Sequence, residues 1–116
     1  MAKIARLENE LITFDDGSTL ESHHDRDCCE HHELDPTGID LKEVEDLEFD
    51  LTRPLEELIE RVEGYGIRLI SSNNFPLSIP AYGYNNGYYS DQLELILTVN
   101  GKKQILDITE CQSYKD

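Results

Sequence analysis

All four histidines and two of the three cysteines fall within His23-His24-Asp25-Arg26-Asp27-Cys28-Cys29-Glu30-His31-His32. Imidazole and thiolate are the preferred donors for zinc and its first-row neighbours, so the segment is first a candidate transition-metal site. Spacing then restricts the geometry. Same-face neighbours along an extended strand lie about 7 Å apart, too far for ligands that must each reach one ion at about 2.0–2.3 Å. A tight turn over Asp25 to Cys28 removes the difficulty. It pairs His24 with Cys29 and Ser22 with His31, placing His24, Cys29 and His31 on one face. Cys28 stands beside them, and Cys111, near the end of the last expected strand, is a candidate fourth ligand. The spacing matches no paired C-x-x-C zinc knuckle, and an exposed polar hairpin with Cys28 or Cys29 buried as a small hydrophobe is the plainer reading.

Thiol chemistry is a further use of the same residue types. Cys28 or Cys29 would be the nucleophile, His24 the base, and Asp25 or Asp27 the group orienting the imidazole. The surrounding carboxylates oppose it, because they raise a thiol pKa instead of lowering it. No glycine-rich oxyanion or phosphate loop accompanies the cysteines. The reading therefore leans away from an enzyme and assigns no catalytic residue.

The second cluster is Tyr82-Gly83-Tyr84-Asn85-Asn86-Gly87-Tyr88-Tyr89-Ser90. Tyr84, Asn86, Tyr88 and Tyr89 offer aromatic faces beside an amide, a combination that stacks on and hydrogen-bonds a sugar, base or peptide. Asn86-Gly87 serves equally as a hairpin turn flanked by cross-strand tyrosines.

In His24-Asp25-Arg26-Asp27-Cys28-Cys29-Glu30, preceded by the Asp16-Gly17-Ser18 turn, the chain resembles an uncharacterised family of small bacterial and phage proteins. That family pairs a His-Asp-x-Asp-Cys-Cys-Glu segment with a later Asn-Gly-Tyr-Tyr-Ser segment, here Asn86 to Ser90, and the resemblance runs from about Leu11 to Cys111. It implies a domain of unknown function and groups His24, Asp27, Cys28, Cys29 and Glu30. His23, His31 and His32 lie outside the shared pattern.

The elements that must position these residues are those of a single α+β domain over residues 1–116, a mostly antiparallel sheet with one or two helices on a face. Leu11 to Phe14 and Thr19 to His24 read as strands around the Asp15-Asp16-Gly17-Ser18 turn. Glu30 to Leu34 reads as a third strand, closed by the turn Asp35-Pro36-Thr37-Gly38. Asp40 can cap a short helix with Leu41, Val44 and Leu47 facing inward. A second helix is expected from Pro54 to Gly64, because Leu55, Leu58, Ile59 and Val62 repeat at i, i+3, i+4 and i+7. Ile67 to Ile70 reads as a buried strand and Asn73 to Ser90 as loop or hairpin. Leu93 to Val99 and Gln104 to Thr109 flank the turn Asn100-Gly101.

The chain has 116 residues and a formal charge of −15, from 25 acidic and 10 basic side chains. The stretch Glu21 to Glu63 holds 16 acids against 4 bases, whereas Gly64 to Leu106 has 2 against 3. Such acidity argues against direct contact with nucleic acid and suits docking on a basic protein partner. No apolar run is long enough to span a membrane, and Met1 to Leu11 has none that could serve as a signal peptide. An odd cysteine count with an adjacent pair speaks for reduced thiols and a cytoplasmic setting. The expectation is a small acidic protein, non-enzymatic, carrying a zinc-like site; the alternatives are an acidic interaction module and a cysteine-dependent enzyme.

Overall fold

A computed structural model describes residues 1–23, 31–73, 75–84 and 93–114. In the first sheet, β1 (Ala2–Glu8), β2 (Leu11–Phe14), β3 (Thr19–His23), β5 (Glu48–Phe49), β9 (Glu94–Val99) and β10 (Lys102–Asp107) run in the order β10-β9-β3-β2-β1-β5. The second holds β6 (Ile59–Val62), β7 (Gly66–Ile70), β8 (Pro76–Tyr84) and β11 (Ser113–Tyr114) in the order β11-β8-β7-β6, with β4 (His31–Leu34) on the other side of β8. Strand pairing is antiparallel except for the short β11–β8 contact.

Alternation along the strands supplies the core. Ile12, Phe14 and Leu20 from the first sheet and Ile67, Leu69 and Ile79 from the second are each at most 1% exposed and belong to one apolar cluster. Phe14 and Phe49 meet edge to face at 5.9 Å between ring centres, the arrangement the ring quadrupoles favour. Two backbone contacts tie the sheets at opposite ends. Ser72 N–H donates to the Glu48 carbonyl at 2.7 Å, and Glu10 N–H donates to the Leu34 carbonyl at 3.0 Å. The mostly antiparallel architecture is as expected, but the sheet curls and a second layer of strands shares its core. Among the described residues the α-helices are α1 (Leu41–Val44) and α2 (Leu55–Leu58), four residues each, and α2 is shorter than the helix expected from Pro54 to Gly64.

The second helix shows why. Leu55 and Leu58 are buried on its one turn, after which Ile59 takes up extended geometry and β6 begins. Ile59 and Val62 are β-branched, and β6 can pair with β7 from Ile59↔Leu69 to Val62↔Gly66. A stripe at i, i+3, i+4 and i+7 therefore served a turn of helix followed by a strand. The freed Leu55 N–H is taken by the Gln104 side chain at 2.9 Å. Asp40 does cap α1, accepting from Lys42 N–H, but Leu41 is exposed.

Besides β6 and the two-residue β5 and β11, two longer strands are absent from the sequence reading. β1 was passed over, although Ala2 and Ile4 are buried and pairing with β2 resumes after a bulge between Ile4 and Arg6. β8 occupies Pro76–Tyr84 of the stretch Asn73 to Ser90 that was expected as loop or hairpin. Its prolines are tolerated because Pro76 opens the strand and Pro80 sits where β4 has just ended. There Asp35 N–H donates to the Pro80 carbonyl, and proline has no N–H to return. The Asn100-Gly101 turn is as read, with φ of 52° and 80°, as a type I′ hairpin requires.

Gly66 is fixed by close approach. A Cβ there would lie 2.1 Å from the Ile79 carbonyl oxygen and 2.8 Å from Ala81 N, inside any permitted contact. Gly64, in the turn before it at φ 74°, has open space around it. Gly66→Ala should therefore destabilise by roughly 3 kcal/mol or more through forced separation of β7 and β8. Gly64→Ala should cost only about 1–2 kcal/mol of backbone strain. Urea unfolding of both variants checks this, with Gly66→Ala expected to have the lower midpoint.

Candidate functional site

His23 ends β3 opposite Glu94, the first residue of β9, and His31 begins β4 opposite Tyr84, the last residue of β8. The chain passes from β3 to β4 through residues 24–30 and from β8 to β9 through 85–93. Both motif-bearing connections therefore run between the same two pairs of strands. Their four anchors form two cross-strand neighbours, at the roughly 4.8 Å spacing of paired strands. His24, Cys28 and Cys29 lie outside the described residues, as do Asn86, Tyr88 and Tyr89 with their expected hairpin turn; His31 and Tyr84 are placed by their backbone.

The hairpin that was to pair Ser22 with His31 does not form. β3 has both hydrogen-bonding edges filled, by β2 and β9, so β4 pairs with β8 instead. Ser22 faces the other end of β4. Its hydroxyl oxygen accepts from Leu34 N–H at 3.2 Å, while its own N–H donates to the Glu10 carbonyl at 3.0 Å. The end of β3 and β4 are thus held together through Leu34, and a shared hairpin face for His24, Cys29 and His31 does not follow from strand pairing.

Cys111 sits in the short turn Thr109–Cys111 and is 2% exposed among the core side chains. Burial pushes its thiol pKa up, against a smaller opposing effect of a hydrogen bond from the Val62 backbone. A neutral thiol packed in this way is a small core side chain. Among the described residues no three His, Cys, Asp or Glu side chains group closely enough to hold a metal ion.

Beside Cys111 is a surface depression lined by Arg61, Glu63, Asp107, Thr109 and Glu110. Its fixed point is Asp107, whose carboxylate accepts from Thr109 N–H at 2.8 Å and from the Thr109 hydroxyl at 2.6 Å. Those two bonds lower the Asp107 pKa, hydroxyl first. Arg61 donates to the Asp107 carbonyl at 3.3 Å. The same Asp-x-Thr device recurs at Asp50-Thr52, where it lowers the Asp50 pKa, and at Asp35-Thr37. Of the three, the sequence reading marks Asp35 to Thr37 alone as a turn, although a carboxylate two residues before a hydroxyl is a readable turn signal at all of them. The depression brings a hydrogen-bonded carboxylate, a cation and a buried thiol together.

Folding lowers the Asp107 pKa, so its stabilising effect is complete above the ordinary value of 3.8 and is lost as pH falls through the lower folded value. Thr109→Val should return the Asp107 titration, followed by carboxyl NMR, towards that ordinary value. Cys111 runs the opposite way. Its raised folded pKa makes stability fall as pH rises above the ordinary thiol value of 9.0, and alkaline unfolding of Cys111→Ala should show a shallower decline.

No curated protein and no solved structure matches the chain. A family model described as a domain of unknown function, DUF7448, matches residues 2–95, a span that takes in both motif segments and every strand from β1 to β8. The chain belongs to this family, the domain of unknown function DUF7448.

Proposed function

We propose that this is a small non-enzymatic domain that holds a transition metal, zinc by its donor set, on the segment from His24 to His31. The ligands in this reading are His24, Cys28, Cys29 and His31, and Cys111 remains in the core. The supporting observation is the bond from Leu34 N–H to the Ser22 hydroxyl. It holds Leu34 at the end of β4 against Ser22 near the end of β3, and in this reading the connection between them closes a turn. A turn is the condition that a straight run of these ligands fails to meet. The metal would supply stability and not reactivity, because binding to deprotonated thiols is coupled to ordering of the chain that carries them. The acidic neighbours that oppose a free thiolate nucleophile favour a bound dication.

A second reading rests on a different observation. Glu43, Glu45 and Asp46 at α1 and Glu56 and Glu57 on α2 are all exposed, and an excess of exposed acids steers a basic protein partner towards the chain. Contact with nucleic acid is not part of either reading. No helix of the described residues is long and apolar enough to cross a membrane.

Untagged protein prepared without chelators or metal-affinity resin should carry close to one zinc per chain by native mass spectrometry and elemental analysis. Cys29→Ser and His24→Ala should each lose it, and a chelator should lower Tm. Cys111→Ala should keep the metal while losing about 1 kcal/mol of core packing. A metal-free, fully folded protein would remove the proposal. Salt-sensitive binding of a basic protein, abolished by reversing Glu56, Glu57 and Glu60 to lysine, would then support the second reading.

A further inference from the structure

Among the described residues β10 is the terminal strand of the first sheet, and the composition of its outer edge suits self-pairing. The hairpin register with β9 runs without a bulge from Lys102↔Val99 to Asp107↔Glu94. Across a two-residue turn, Val99 and Lys102 form a hydrogen-bonded pair. Even-numbered residues of β10 therefore bond inward to β9, and Lys103, Ile105 and Asp107 turn their N–H and C=O groups to the open edge. Two neighbouring bonds agree with that parity. Ile108 N–H donates to the Leu93 carbonyl, and the Asp107 carbonyl accepts from outside the sheet, from Arg61. Side chains alternate in step, so Lys103, Ile105 and Asp107 share one face. Ile105 is 62% exposed on it.

We propose that a second copy of this chain pairs with β10 antiparallel, about a two-fold axis at Ile105. That register sets Ile105 against its own copy and Lys103 against Asp107 of the second copy, twice by symmetry. Each outward backbone group of Lys103 and Ile105 gains a partner. The Asp107 carbonyl has a second lone pair to share with Arg61. Opposite charges facing across a strand pair are favourable, and two β-branched side chains meet between them. Lysine on an edge strand commonly repels an incoming strand; here the two-fold places an aspartate opposite it. β10 itself carries Lys102 and Lys103 against the single acid Asp107, in a chain whose net charge is −15. A single strand pair buries less than a permanent interface does, so the dimer should be concentration-dependent.

Sedimentation velocity over a concentration series tests this with four proteins. The wild-type chain should move from one-copy to two-copy mass, and Lys103→Glu and Ile105→Glu should each stay at one copy. Lys102→Glu makes the same change of net charge on the opposite face and should still dimerise. Ile105→Cys, oxidised mildly, should give a 105–105 disulfide on peptide mapping, since hydrogen-bonded pairs have Cα atoms about 5.5 Å apart, within disulfide reach. A wild-type chain that stays at one copy throughout would overturn the proposal. So would equal weakening by Lys102→Glu and Lys103→Glu, or oxidised Ile105→Cys joined through Cys28 or Cys29.

Discussion

Three hydrogen bonds around Glu10, Ser22 and Leu34 hold the corner on which the candidate site depends. Glu10 N–H donates to the Leu34 carbonyl, its carbonyl accepts from Ser22 N–H, and Leu34 N–H donates to the Ser22 hydroxyl. Glu10 adopts φ 66° to make them, a left-handed conformation that costs a non-glycine residue about 1–2 kcal/mol. The cost is met because Leu34 is fully buried, where an unpaired backbone group would cost about as much again. The corner joins the sheets where β3 has no free edge left. Without it the connection 24–30 would run between two unrelated strands; with it, both ends of that connection are pinned.

The two ends of the other connection, 85–93, inherit their positions from the same arrangement. β8 is central in its sheet over Ala81 to Tyr84, with β4 on one side, and β9 lies against β3. Any geometry that fixes β3 beside β4 also fixes where β8 ends and β9 begins. The cysteine-rich and tyrosine-rich segments are thereby neighbours at their anchors, a relation that spacing of more than fifty residues in the chain could not disclose. Among the described residues no acidic side chain enters the core. Glu43, Glu56, Glu57 and Glu60 stand on exposed positions of α1, α2 and β6, and Asp50 and Asp107 turn their carboxylates back onto the chain through Thr52 and Thr109.

Local chemistry was legible wherever a short stretch decides its own conformation. The hairpins at Asp15 to Ser18 and Asn100-Gly101, the Asp35-Pro36 turn and the Asp40 cap all follow from two to four residues. Elements decided by distant partners were not. Ile59 to Val62 reads as helix until β7 is present to pair with it. β8 alternates cleanly, with Leu77, Ile79, Ala81 and Gly83 buried between exposed or half-buried neighbours, but its prolines and glycine outweigh that signal until β4 and β7 are seen to flank it. The candidate site divides the same way. Donor types were plain in the sequence, whereas the partner of β4 was a property of the sheet, and the expected hairpin failed on that point alone. Cys111 was visible as a thiol but not as a core side chain, because its burial comes from the turn that follows β10.

The central claim is that the segment from His24 to His31 converges on one metal ion. Zinc-edge X-ray absorption of the untagged protein addresses its ligands directly. The account predicts a four-coordinate ion with mixed neighbours, sulfur at about 2.3 Å and nitrogen at about 2.0–2.1 Å. A first shell of oxygen and nitrogen without sulfur would contradict it, leaving Cys28 and Cys29 outside the site they were taken to define.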